Sequence, residues 1–181
     1  MKPPSFFGVS PRRQAEFNAI AEFIAYHSPG VASFAQYPLR DDRAGIGPAG
    51  SFSSGLCPAN IAPDAIYAGG AAAVGCRPAL DSFRAPLVVR AHGRCLERTR
   101  GACSARKPGA RVQIWGHVRP VSSPTEVAIR YRDRRGSAHL LRTLTTDGAG
   151  YFSFRAKNHL HRKWCLTWNG LSGPFVRPYA F

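Results

Sequence analysis

Val112-Gln113-Ile114-Trp115-Gly116 and, farther along, Val127-Ala128-Ile129-Arg130-Tyr131 decide how this chain folds. Both stretches repeat with a period of two, which is the pattern of a strand with one face on a core. Val112, Ile114 and Gly116 alternate with Gln113 and Trp115, and Val127, Ile129 and Tyr131 alternate with Ala128, Arg130 and Arg132. More strands follow at short intervals. Leu140 to Thr146 is one, Tyr151 to Arg155 alternates with Phe152 and Phe154, and Lys163 to Trp168 is another. Arg134-Arg135-Gly136 and Asp147-Gly148-Ala149-Gly150 supply turns between them. Short strands separated by turn signals predict a small antiparallel β-sandwich over residues 109–181. Arg130 and Arg132 then belong to its outer face.

Upstream the period changes. Ser10-Pro11 is an N-cap followed by a residue suited to the first helical position. Phe17, Ile20, Ala21 and Ile24 recur as a helical stripe, and Ser28-Pro29-Gly30 ends it. Val31 to Leu39 is apolar on both faces and reads as a buried strand. Residues 40–77 are rich in Gly, Ala, Ser and Pro and carry no period. Pro78 opens a short helix through Arg84, and Pro86 to Arg90 is a short extended run. The expected division is therefore residues 1–90, a Gly/Arg/Cys-rich linker at 91–108, and a sandwich at 109–181. The fold class is α+β.

The chain of 181 residues is too short for a complete (β/α)8 barrel, which needs about 200–250. Its charge of +15 is uneven: residues 1–93 hold 8 basic and 6 acidic side chains, residues 94–181 hold 17 and 4. A basic sandwich half favours polyanions such as an acidic polysaccharide. Specific nucleic-acid recognition is not expected, because Trp115, Trp164 and Trp168 occupy strand positions suited to a core. No apolar run is long enough to span a membrane, and the start of the sequence lacks the ~7–15-residue apolar stretch of a signal peptide. The chain as written is expected in the cytoplasm.

The cysteines point the other way. Cys57 and Cys76 flank a Gly/Ala-rich loop and Cys95 and Cys103 an Arg-rich one, the pattern of two loop-closing disulfides, which need an oxidising compartment. Cys165 is left over in an apolar strand. His159 and His161 near it lack a matching second pair, so no metal is expected, and no cofactor motif is present.

Three sets of residues carry a resemblance. The first is Gly8 to Glu16, then Ala21 to Tyr26, then Val31 to Asp42. The second is Ser51-Phe52-Ser53-Ser54-Gly55-Leu56 with Arg77 to Arg90. The third is Val112 to Pro120 with Thr146 to Phe152. In that order they resemble the C-terminal part of an actinobacterial glycoside-hydrolase-like (β/α)8 barrel protein: last full helix, eighth barrel strand, closing segments, and a following immunoglobulin-like β-sandwich. The resemblance implies that the nucleophile and acid/base glutamates lie on earlier barrel strands, upstream of Met1. It therefore implies no catalytic residue in this chain and an extracellular or cell-surface setting. By the same analogy Gln36, Tyr37, Asp41 and Asp42, at the end of the eighth strand, are candidates for contacting sugar. The carboxylates agree with an inactive chain. Glu16 and Glu22 are about 600° apart around a helix and share no face. Glu22, Asp41 and Asp42 are all expected as solvated surface charges. Two functions remain in view: an inactive barrel end with an accessory sandwich, or a basic module that binds carbohydrate or polyanion.

Overall fold

A computed structural model describes residues 10–36, 39–41, 55–67, 69–91, 98–99, 102–103, 111–134, 136–159 and 161–179. The architecture is α+β: among the described residues there are two α-helices, seven antiparallel strands in two main sheets, and a separate pair of two-residue strands.

Helix α1 runs Pro11–His27. The Ser10 Oγ accepts from the Arg13 amide at 3.3 Å, so the expected cap forms. At the other end the Ser28 hydroxyl donates to the Ile24 carbonyl and Gly30 turns the chain at φ +83°. The face that α1 buries is Ala15, Ala19, Glu22 and Phe23. Phe17 and Ile24, two members of the stripe that the sequence displays, stay 47% and 51% exposed.

The strand expected at 31–39 is absent over its described residues, 31–36 and 39. Val31 to Gln36 has no strand pairing, and Val31, Ala32 and Ser33 are exposed. An extended apolar segment becomes a buried strand only when neighbours satisfy its amides and cover both faces. Among the described residues no strand flanks it.

Residues 55–77 fold more closely than their composition suggests. A short 3-10 helix spans Asp64–Tyr67. The amides of Leu56 and Cys57 both donate to the Leu39 carbonyl, and the Arg77 amide donates to Leu56. Cys57 and Cys76 form a disulfide. Cys95 lies outside the described residues, as does the side chain of Cys103. Helix α2, Pro78–Arg84, docks on α1 where the buried Ser82 hydroxyl donates to the Ala15 carbonyl at 2.6 Å. Ala15, Leu56, Ile66, Ala71, Ala79 and Leu80 make the core of this helical region.

The strands are β1 (Leu87–Ala91), β2 (Arg98–Thr99), β3 (Ala102–Cys103), β4 (Arg111–His117), β5 (Glu126–Arg132), β6 (His139–Thr145), β7 (Tyr151–Lys157), β8 (Lys163–Trp168) and β9 (Leu171–Ser172). One sheet has the order β1-β4-β7 and the other β6-β5-β8-β9; β2 and β3 pair only with each other. The two larger sheets share one core. Leu87, Val89, Val112, Ile114 and Phe152 from the first meet Val127, Ile129, Trp164 and Leu166 from the second. This sandwich-like packing is the one that the period of two predicts. The extended run at Pro86–Arg90, read as lying ahead of the linker, supplies an edge strand of the first sheet: β1 pairs with β4 from Leu87↔Gly116 to Ala91↔Val112. After β9 the chain crosses between sheets, with Val176 bridging Trp164 and Tyr179 bridging Arg90.

Helix α1 covers the outer face of β1-β4-β7. Val88 and Trp115 point away from the shared core and are buried against Ala19 and Phe23. Phe23 meets Trp115 edge-on at 5.4 Å, a favourable aromatic geometry. The protein thus has three layers over this region: helix, three-stranded sheet and four-stranded sheet.

Candidate anion-binding cleft

Strand alternation creates a cationic cleft on the outer face of the second sheet. In β5, Val127 and Ile129 enter the core, so Arg130 and Arg132 point outward; in β8, Trp164 and Leu166 enter it, so Lys163 and Cys165 point outward. The register places Arg132 directly opposite Lys163 and Arg130 opposite Cys165. Two like charges in directly opposed positions destabilise a sheet. Here a cavity of about 310 Å³ opens between them, lined by Arg132, Asp133, Arg134, Gly136 and Lys163.

The cations in this cleft are poorly neutralised. Asp133 is the carboxylate in its lining, and it receives the Arg162 Nε at 3.2 Å. Arg162 also lies over the Tyr131 ring at 3.7 Å. Arg132 stacks on Phe175, its guanidinium carbon 4.0 Å from the ring centroid. Among the described residues Arg132, Arg134, Lys163 and Arg177 have no carboxylate within ion-pair distance. Burial, and then the positive fields of Arg177, Arg12 and Arg132, lower the Lys163 pKa from the usual lysine range. Beneath the arginines the buried Cys165 thiol is pushed up to about 11 by loss of water contact. A cleft of this kind can hold a carboxylate, sulfate or phosphate oxyanion, with guanidinium forks supplying directional donors.

A second polar cluster fastens α1 to the sandwich. Glu22 is 3% exposed, which corrects the expectation of a solvated surface charge. Its Oε1 lies 2.8 Å from His117 Nδ1 and pairs with Arg119. His117 Nε2 faces the Ala149 carbonyl at 3.0 Å, so Nε2 carries a hydrogen. Nδ1 also lies 2.7 Å from Arg119 Nη2. It therefore either donates to Glu22 or accepts from Arg119. Tyr151 stacks on His117 with centroids 3.9 Å apart. Burial, followed by the field of Glu22, raises the Tyr151 pKa.

The candidate sugar-contacting residues are not gathered into a site. Asp41 receives the Gly55 amide at 2.9 Å and forms a two-pronged ion pair with Arg77. Its carboxylate ties residues 39–41 to 55 and 77 and is not the free loop charge expected. Gln36 is half-buried, while Tyr37 and Asp42 lie outside the described residues. His159 and His161 are exposed, and no group of three metal-ligating side chains occurs among the described residues. No helix of the described residues is long and apolar enough to cross a membrane.

Sequence reasoning placed Arg130 and Arg132 on an outer face but missed that Arg132 lies opposite Lys163. The signal was present in the phase of β8, since Trp164 and Leu166 as core positions force Lys163 outward. The Glu22 cluster had no such signal, because Glu22 is 95 and 97 positions from His117 and Arg119. No known protein family, curated protein or solved structure matches this chain.

Proposed function

We propose that this chain is the C-terminal part of a glycoside-hydrolase-like (β/α)8 barrel protein, non-catalytic by itself, whose basic immunoglobulin-like sandwich is an accessory module for an anionic polysaccharide or related polyanion. The observation that carries the binding role is the Arg132/Lys163 pair. Opposed cations without a carboxylate are unfavourable in the free protein and become favourable when an oxyanion lies between them. The barrel-end reading is favoured by the exposed Phe17, Ile24 and Val31. An extracellular or cell-surface setting suits the Cys57–Cys76 disulfide.

Retention on immobilised sulfated glycosaminoglycan, polygalacturonate and neutral dextran tests the binding role. Retention on the two acidic polymers, absent on dextran and weakened by Arg132→Gln with Arg134→Gln, is expected. Binding that persists at ~0.5 M salt marks a defined carbohydrate site, and loss at that salt marks charge attraction alone. Equal retention on dextran, or none on either acidic polymer, overturns the proposal. Hydrolysis of aryl glycosides by the pure protein, lost on changing one of its carboxylates, overturns the non-catalytic assignment.

A further inference from the structure

We propose that Lys163 is a carbonyl-reactive amine that forms an imine with small aldehydes or ketones bearing an oxyanion, the anionic group being held by Arg132 and Arg134. The inference rests on the same cleft as the polyanion role but concerns a different chemistry. An amine attacks carbonyl carbon only when it is unprotonated, and neighbouring cations and partial burial are the two usual means of releasing its proton. Lys163 has both. It is half-buried at the lip of an open cavity of about 310 Å³, so it meets solutes while losing part of its hydration. Arg132 faces it across the strand pair, and Arg12 and Arg177 add to the field. The carboxylate that could have held it as an ammonium, Asp133, is turned to Arg162. These groups favour the neutral amine, and the same guanidinium of Arg132 attracts the oxyanion of an incoming carbonyl compound.

The reaction needs no added oxidant or reductant. The Nζ lone pair forms a bond to the carbonyl carbon as the carbonyl π pair moves to oxygen, and a proton passes from nitrogen to that oxygen to give a neutral carbinolamine. Loss of that oxygen as water, with one further proton, leaves the iminium on Nζ. The cleft fits a compact substrate such as a 2-oxo acid or a sugar phosphate, since the reacting carbon and its oxyanion must both lie within its lining. A polymer bound along the outer face would cover the amine and block this chemistry.

Lysine is scarce enough for the test to be internal. The chain has four: Lys2, Lys107, Lys157 and Lys163. Lys157 is exposed on β7 and serves as the reference. The whole protein is treated with glyoxylate and cyanoborohydride, which fixes any imine as a secondary amine, and labelled peptides are quantified by mass spectrometry. Lys163 is expected to carry severalfold more label than Lys157, because burial and the neighbouring guanidinium groups favour its neutral amine. Arg132→Gln is expected to cut this ratio severalfold, and propanal, which lacks an oxyanion, to give a smaller ratio than glyoxylate. Lys163→Arg should abolish the label at this position while leaving that on Lys157 unchanged. Equal labelling of Lys163 and Lys157 in the unaltered protein overturns the inference, whatever the variants do. Selective labelling with no polymer retention upholds it and overturns the polyanion role instead.

Discussion

Glu22 on α1 and His117 on β4 are 95 positions apart in the chain and meet at 2.8 Å, both buried. With Arg119 they form the ionic fastening between the helix and the sandwich, beside the apolar contact of Phe23 and Trp115. A carboxylate this enclosed is tolerable only because charged donors surround it.

Glu22→Gln should therefore destabilise the protein by about 2–4 kcal/mol, because the anion of a buried ion pair is removed and the Arg119 guanidinium remains. Urea unfolding followed by tryptophan fluorescence measures this directly, with Trp115 close to the altered site. A change within about 0.5 kcal/mol, the usual limit for a surface site, would show that the cluster contributes nothing.

The Cys57–Cys76 disulfide closes a sequence separation of 19 residues. Loop-closure entropy for that length gives about 3 kcal/mol of stabilisation. The double variant Cys57→Ser with Cys76→Ser should unfold at correspondingly lower denaturant. Limited proteolysis should show cleavage within residues 55–77 well before the strands are cut.

Gly150 has φ +88°, and a Cβ there would lie 2.4 Å from the Val118 carbonyl oxygen and 2.7 Å from Val121 Cγ2. The two neighbours leave no room and the backbone angle is unfavourable for any other residue. Gly150→Ala should lower stability by about 2–4 kcal/mol. Gly148, where an added Cβ meets nothing within 4 Å, is the control and should tolerate Ala far better.

Cys165 should resist alkylation in the folded protein at pH 8. Its thiol is pushed up to about 11 from the usual thiol range, chiefly by burial, so the reactive thiolate is only about one part in a thousand at that pH. Iodoacetamide labelling should appear only with denaturant. The same shift has a consequence for stability. The unfolded thiol loses its proton near 9 and the folded thiol near 11, so the folded state holds a proton that the unfolded state releases. Stability is therefore lost as pH rises through that window, and alkaline unfolding of Cys165→Ala should be displaced to higher pH.

Local patterns in the sequence located the elements, and tertiary neighbours decided what became of them. Ser10-Pro11 fixed the start of α1 because capping depends on adjacent residues alone. Alternation revealed β4, β5, β7 and β8 because each has one face in a shared core. The buried face of α1 was misleading. Ala15, Ala19, Glu22 and Phe23 are less apolar as a set than Phe17, Ile20, Ala21 and Ile24, yet small alanines admit α2 closely and Glu22 finds buried partners. No periodicity encodes a partner 95 residues away. Val31 to Gln36 erred for the complementary reason: its pattern is that of a strand, but pairing requires a neighbour that pattern cannot supply. In the cleft, the outward phase of Arg132 was legible from β5, whereas its register against Lys163 required both strands in place.

The crossing segment after β9 also sets the order in which this protein can be completed. β1 is an early strand, yet its free edge is closed by Tyr179, whose amide donates to the Val89 carbonyl at 2.7 Å while its own carbonyl accepts from Ala91 at 2.7 Å. Val176, three residues earlier, is already bonded to Trp164 of the opposite sheet. During synthesis, β1 must therefore wait for almost ninety further residues before both of its edges are engaged. Such long-range closure slows folding and leaves an unpaired edge on the nascent chain, the circumstance in which a chaperone gains a target.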